Sequence, residues 1–262
     1  MFETLLGKTV LVTGASAGIG AATATEFVKA TNGNIKLILG ARRVSKLEEL
    51  ADGLKKLYPS VQIYVGQLDV SEVSKIDQFF AQLPAQYSEI DVLINNSGKA
   101  LGQEKVGDID PTDIATVFDT NVLGLIAMTQ IVLKGMKKRN RGDIVQLGSI
   151  AGRWTYAGGS IYCSSKAALK SFTEAMRKEL TSTKIRVIEV APGNTKTEFA
   201  LVRFKGDADR ASQVYEGVDT LLPQDVAELI VFACSRRETA VIAESIIMST
   251  NQAGPQDLYR KQ

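Results

Sequence analysis

Seven short apolar runs punctuate the chain: "KTVLVT" (8–13), "IKLILG" (35–40), "VQIYVG" (61–66), "IDVLIN" (90–95), "GDIVQLG" (142–148), "KIRVIEVA" (184–191) and "ESIIM" (244–248). Most are continuous rather than alternating, which predicts strands covered on both faces. Between them lie segments with helical spacing, among them "AATATEFVKA" (21–30), "SKLEELADGLKKL" (45–57), "VSKIDQFFAQL" (73–83) and "PQDVAELIVFACS" (223–235). Strand and helix alternate from end to end. This predicts an α/β fold, a doubly wound parallel sheet joined by right-handed crossovers with helices on both faces. No repeat, low-complexity segment or linker divides the chain, so 1–262 is expected to be a single domain. The least regular region, 192–222, carries Pro192, Gly193, Gly206 and Gly217. It reads as a lid over a site.

Composition narrows the chemistry. Hydrophobic residues make up 45% and charged residues 23% of the 262 positions, enough apolar content for a sizeable core. The net charge of +2, with no long basic block, gives no reason to expect nucleic acid as a partner. The first residues, "MFETLLGKTVLVTG", carry Glu3 and no apolar run with a cleavage site. The most apolar stretch, "GLIAMTQIVL" (124–133), is about half of a bilayer span. No membrane partner is expected, and a soluble cytoplasmic protein is. Histidine is absent altogether, which excludes Ser-His-Asp, Cys-His and His-zinc chemistry. The two cysteines, Cys163 and Cys234, are too few for a Cys-rich metal site, so no metal is expected. Any acid–base catalyst must be Asp, Glu, Lys, Tyr or Cys.

The run 8–13 leads into "TGASAGIG", with Gly14, Gly18 and Gly20 ahead of a helical segment. A glycine turn between strand and helix places a helix N-terminus under a phosphate. The ending lacks the Gly-Lys-Ser/Thr of a P-loop, so nucleotide hydrolysis is not indicated. In "SIYCSSK", Tyr162 and Lys166 stand four residues apart, on one helix face with Cβ atoms roughly 5–6 Å apart. A charge ~4 Å away at an effective dielectric of ~20 is worth about 4 kcal/mol. That is roughly three pKa units. Lys166 is therefore expected to bring the Tyr162 phenol towards the working pH of a general acid/base.

Together these segments resemble the short-chain dehydrogenases/reductases. The glycine loop, "NNSG" (95–98), Asn121 in "DTNV", Ser149 in "LGSIAG", Tyr162 and Lys166 in "YCSSK", and "APGNTKTEF" (191–199) match that family in order and spacing over essentially the whole chain. "LILGARR", "KALG", "GSIAGR", "SIYCSSK" and "TNQA" further resemble fungal NADP-dependent 3-hydroxy acid dehydrogenases, which also act on serine-type substrates. The resemblance implies a Rossmann-type seven-stranded sheet, with a cofactor half (about 1–148) and a catalytic and substrate-loop half (about 149–262). It assigns Tyr162 as general acid/base, Lys166 to the nicotinamide ribose, Ser149 to the substrate oxygen, and Asn121 to a proton-relay water. It assigns Gly14, Ser16, Gly18, Ile19, Gly20, Asp69, Asn95, Gly98, Pro192, Gly193, Thr195 and Thr197 to the cofactor; for Asp69, a cap on the helix from Ser71 is nearly as good a reading. It also implies a homodimer or homotetramer built on the helices around 112–138 and 160–181.

The cofactor's identity follows from the second strand. An acid there holds a ribose 2′-hydroxyl, whereas arginine holds a 2′-phosphate. "LILGARRVSK" ends in Arg42 and Arg43, with no acid until Glu48, so NADP is expected. Arg153, four residues after Ser149, is a candidate clamp for a substrate carboxylate or else a surface or interface arginine; Lys99 and Arg203 are next in line. Three readings stay open: an NADP-dependent 3-hydroxy acid or serine-type dehydrogenase, a broad carbonyl or 3-oxoacyl-thioester reductase, and a non-catalytic NADP sensor.

Overall fold

Side chains on the first strand, Thr9–Thr13 (β1), divide the molecule. Val10 and Val12 enter one hydrophobic cluster and Leu11 the other, as the period-two geometry of a strand requires. The same split recurs at Val92 and Ile94 against Leu93 in the strand Val92–Asn95 (β4). Both faces of the sheet are thus apolar and both are covered, which is why the runs in the sequence are continuous. The computed structural model describes residues 2–261. Its remaining strands are Lys36–Ala41 (β2), Gln62–Gln67 (β3), Gly142–Leu147 (β5), Ile185–Pro192 (β6) and Glu244–Ile247 (β7). All pairings are parallel, in the order β3-β2-β1-β4-β5-β6-β7. The central strands are buried along their length, while the edge strands β3 and β7 are partly exposed.

The helices of the first half are Gly18–Ala30 (α1), Val44–Leu57 (α2), Val73–Ala81 (α3), Pro111–Phe118 (α4) and Leu125–Arg139 (α5). Those of the second are Ser160–Glu179 (α6), Phe199–Arg203 (α7), Ala208–Gln213 (α8) and Pro223–Cys234 (α9). Phe27, Leu47 and Ile230, from α1, α2 and α9, pack on one face of the sheet. Ile76, Met128, Met136 and Met176, from α3, α5 and α6, pack on the other. A π-helical turn, Asp119–Gly124, joins α4 to α5. The continuous helix Pro111–Arg139 is long and apolar enough to span a bilayer by length and composition. Here it presents Met128, Val132 and Met136 to the sheet instead. Region 192–222 is an ordered cap, with α7 and α8 folding around a small cluster of Ala200, Phe204 and Ala211. Cys163 and Cys234 are buried free thiols.

At the edge of the sheet away from the glycine loop, Arg186 on β6 makes a two-pronged bond with Asp143 on β5, at 2.7 and 2.6 Å. The guanidinium also donates to the carbonyls of Cys234, Arg236 and Ala240. Both side chains are under a tenth exposed. Removing one charge from such a pair strands the other. Arg186→Met is expected to cost about 3–5 kcal/mol in urea unfolding. Lys184→Met, which breaks an exposed pair with Glu238, is expected to cost under about 1 kcal/mol.

Candidate active site

The C-terminal ends of β1, β2, β4, β5 and β6 open into one cleft of about 750 Å³. Ligands bind at this edge of a doubly wound sheet, next to the point where strand order reverses between β1 and β4. Gly14, Ser16, Gly18 and Ile19 form its floor, and Arg42, Arg43 and Asp69 one end. Gly98, Ser149, Tyr162 and Lys166 line it where β4 and β5 finish, and Pro192, Gly193, Thr195 and Thr197 line it where β6 finishes. Gly14 (φ +67°) and Gly18 (φ +55°) adopt the left-handed backbone that L side chains disfavour. Between β1 and α1 this gives the glycine turn that a dinucleotide phosphate needs.

At the arginine end, Arg43 donates to Ser16 Oγ and pairs with Glu198 at 2.8 Å. Arg42 stands 4.0 Å from Asp69. Asp69 accepts from both the backbone N–H and the hydroxyl of Ser71, a local turn ahead of α3 rather than its cap, and it lines the cleft. Burial works to raise its carboxyl, but those bonds and the charges of Arg42 and Lys99 take it below the ordinary range. Lys99 is pushed down by burial and by Arg42, against the pull of Asp69 and Asp119.

At the far end, Ser149 caps a short turn by accepting the Ala151 N–H at 3.1 Å, which leaves its hydroxyl proton free to donate. Tyr162 and Lys166 rise from the first turns of α6. The Lys166 ammonium donates to the Leu147 carbonyl at 2.7 Å and lies 6.0 Å from the Tyr162 ring centroid. Burial lowers the ammonium to about 8, opposed by Glu189. The expected depression of Tyr162 does not occur in this arrangement. Burial raises the phenol, opposed by the Ser149 hydroxyl and the Arg203 charge, while Lys166 is engaged by the strand carbonyl. The Phe199 ring packs edge-on to Tyr162 at 5.3 Å.

Four expected residues lie outside the cleft. Arg153 is not a substrate clamp: its guanidinium is consumed by Glu189 at 2.8 Å and Glu244 at 3.1 Å. Asn95 is buried and donates to Thr129; its neighbour Asn96 lines the cleft and ties the glycine loop through the Thr13 and Gly14 carbonyls. Gly20 contacts no ligand space but packs on the Gly14 carbonyl, where a Cβ would collide. Asn121 sits in the π-helical turn, a distortion common at functional sites. Its side chain exchanges two hydrogen bonds with the Lys99 peptide and donates a third to Ser165, so it braces the "KALG" loop.

Other lining residues carry no sequence motif. Arg203 on α7 donates to the Tyr156 hydroxyl (2.9 Å) and to the carbonyls of Gly102 (3.1 Å) and Gly158 (2.8 Å). It thereby joins the 102 and 156–158 loops at the end of the cleft that holds Tyr162. Pro255, Gln256, Leu258 and Arg260 line the cleft from the C-terminal segment. That segment is fastened to the cap by Lys261 N–H to the Gly217 carbonyl and by Arg260 to the Glu216 carbonyl, both at 2.7 Å.

The residues present fit a nicotinamide dinucleotide phosphate. The glycine turn, the two arginines and the Ser-Tyr-Lys group occupy the floor and opposite ends of one cleft of suitable volume. Comparison with known proteins agrees. The chain is 49% identical over 256 residues to an NADP-dependent 3-hydroxy acid dehydrogenase of Schizosaccharomyces pombe, covering 98% of each chain. Among solved structures it resembles the closed form of a serine dehydrogenase complexed with NADP+, with a TM-score of 0.89, 38% identity and coverage of 97% and 100% of the two chains. It also resembles the serine dehydrogenase of Escherichia coli, with a TM-score of 0.79, 35% identity and coverage of 94% and 99%. The family model for short chain dehydrogenase matches residues 8–207, and this chain belongs to that family.

Proposed function

We propose that this enzyme interconverts 3-hydroxy acids, serine-type substrates included, with their 3-oxo counterparts, using NADP. The carrying observation is one cleft with Arg42 and Arg43 at one end and Ser149, Tyr162, Lys166 and Arg203 at the other. The names of the relatives point the same way. Division into a cofactor half (about 1–148) and a catalytic and substrate half (about 149–262) is part of this reading.

Bound in the cleft, NADP supplies the nicotinamide that carries the hydride. The chain handles the proton and the orientation. Ser149 donates its hydroxyl proton to the substrate oxygen and fixes its direction. Tyr162, raised by burial, rests as the neutral phenol, which suits proton donation to a carbonyl oxygen as it becomes an alcohol. Oxidation runs the same path backwards from the Tyr162 phenolate, which takes the hydroxyl proton, so it calls for prior loss of the phenol proton to solvent. Lys166 is an ammonium below about pH 8 and hydrogen-bonds the nicotinamide ribose in that form. Phe199 keeps water from one face of the phenol.

Arg203 is the carboxylate-binding residue in this reading. Three of its five N–H groups are committed, and two remain for an anion. Assembly into a homodimer or homotetramer through the helices around 112–138 and 160–181 is part of this reading. We place the enzyme in the cytoplasm.

NADPH formation, followed by absorbance with serine and 3-hydroxybutyrate, tests the function. Tyr162→Phe is expected to lower turnover about 10²–10⁴-fold while NADPH still binds. With NADP, turnover should exceed that with NAD, and Arg42→Ala combined with Arg43→Ala should narrow the difference. Loss of a charge-assisted bond is worth about 1.5–3 kcal/mol. Arg203→Gln should therefore raise KM for a hydroxy acid roughly tenfold to a hundredfold, with less effect on an uncharged alcohol. Equal effects on both substrates would remove Arg203 from carboxylate binding.

A further inference from the structure

β6 carries a charge where an apolar side chain would serve the sheet better. Glu189 is 1% exposed, in a strand whose eight residues are all buried. Its Oε1 accepts from Arg153, while Oε2 is buried without a hydrogen-bond partner. A carboxylate removed from water with part of its acceptor capacity unmet is costly, and such a group calls for an explanation. The sheet register also sets Glu189 directly beside Glu244, a like-charge neighbour.

The surroundings of Glu189 supply that explanation. Its carboxylate fills the space a side chain on Gly148 would take, and a Cβ there would collide with Oε1. Gly148 connects Leu147, whose carbonyl holds the Lys166 ammonium, to Ser149. The acid therefore sits beneath the peptide that sets both groups. Outward from it come Arg153, then Glu244, then Arg177, whose Nη1 is 3.9 Å from Glu244. Arg153 divides its two prongs between two carboxylates, so Glu189 is neutralised only in part. The negative end of the array is the inner end.

We propose that Glu189 is a positioning residue: from beneath Gly148, its carboxylate keeps Lys166 in the ammonium form at the place where cofactor and Tyr162 use it. This rests on the reading that Lys166 works as a cation. The groups facing the pair are Tyr162 and Arg177 on α6, Arg153 on the turn after β5, and Glu244 on β7; β5 presents the neutral Gln146 beside Glu189. Among the described residues, Glu189 is the charge that opposes proton loss from Lys166, and burial drives that loss. The sign follows. The ammonium is complete below its midpoint near 8 and disappears as pH rises through it, so losing Glu189 moves that disappearance to lower pH.

The test uses isotope-labelled lysines in the whole protein without cofactor, titrated by NMR, with the Lys166 signal identified through Lys166→Arg. In Glu189→Gln the midpoint is expected to fall by about one unit, a tenfold weaker hold on the proton. The basic limb of 3-oxo acid reduction should fall with it, while rates on the acid side stay within about twofold of the parent. Arg153→Lys, which keeps the charge, should keep the parent midpoint. A folded Glu189→Gln protein with the parent midpoint, or one that loses rate equally at every pH, overturns the proposal. If Glu189→Gln does not fold, Glu244→Gln carries the test. It turns Arg153 wholly onto Glu189 and should lower the midpoint by about a few tenths of a unit; no change there also overturns the proposal. A lowered midpoint without turnover of any hydroxy acid would uphold the role of Glu189 and sink the functional reading instead.

Discussion

One hydrogen bond organises the catalytic end of this enzyme: the Lys166 ammonium on the Leu147 carbonyl, at 2.7 Å. A charged amine in a buried setting must be met by a strong acceptor. The last carbonyl of a central strand is a rigid one. The bond pins the start of α6 to the end of β5, and Tyr162 one turn earlier inherits that placement. Ser149, two residues beyond the same carbonyl, is set by the same strand end. The relative position of three reacting side chains thus traces to a single contact between helix and sheet.

The rest of the fold can be read as what keeps that contact dry and fixed. Two apolar clusters cover the sheet on both faces, and the Asp143–Arg186 bond secures the opposite edge of β5 and β6. The cap over the cleft is held differently. It has only a small cluster of its own and is tied down by polar contacts from Arg203 and the C-terminal segment. Sheet and cap therefore belong to different stability classes: the first is secured by burial, the second by a few exchangeable bonds.

The sheet was legible because parallel strands buried on both faces leave an unmistakable continuous apolar run. The glycine turn, the two arginines and the Ser-Tyr-Lys group were legible because their chemistry forces residue type at fixed spacing. What sequence did not reveal depends on direction. Asn95 and Asn96 are adjacent and identical, yet one points into the core and the other at the glycine loop, and which is which depends on the strand's register. Arg153 looked like a clamp because its partner, Glu189, lies 36 residues further on, on another strand. Helical spacing brings Tyr162 and Lys166 together without saying what else claims the ammonium, which here is the Leu147 carbonyl. The C-terminal contribution to the cleft has no local signature at all.

The Arg203 guanidinium has a bearing on any attempt to redesign substrate preference. It holds the Gly102 loop, the Gly158 loop and the Tyr156 hydroxyl from one point on α7. Randomising it to admit a new substrate would also unhook two loop segments, so a library built on that position alone would confuse altered recognition with a loosened pocket wall. Productive variants call for paired changes, in which an incoming side chain re-forms the lost loop contacts while a different residue takes over the choice of ligand.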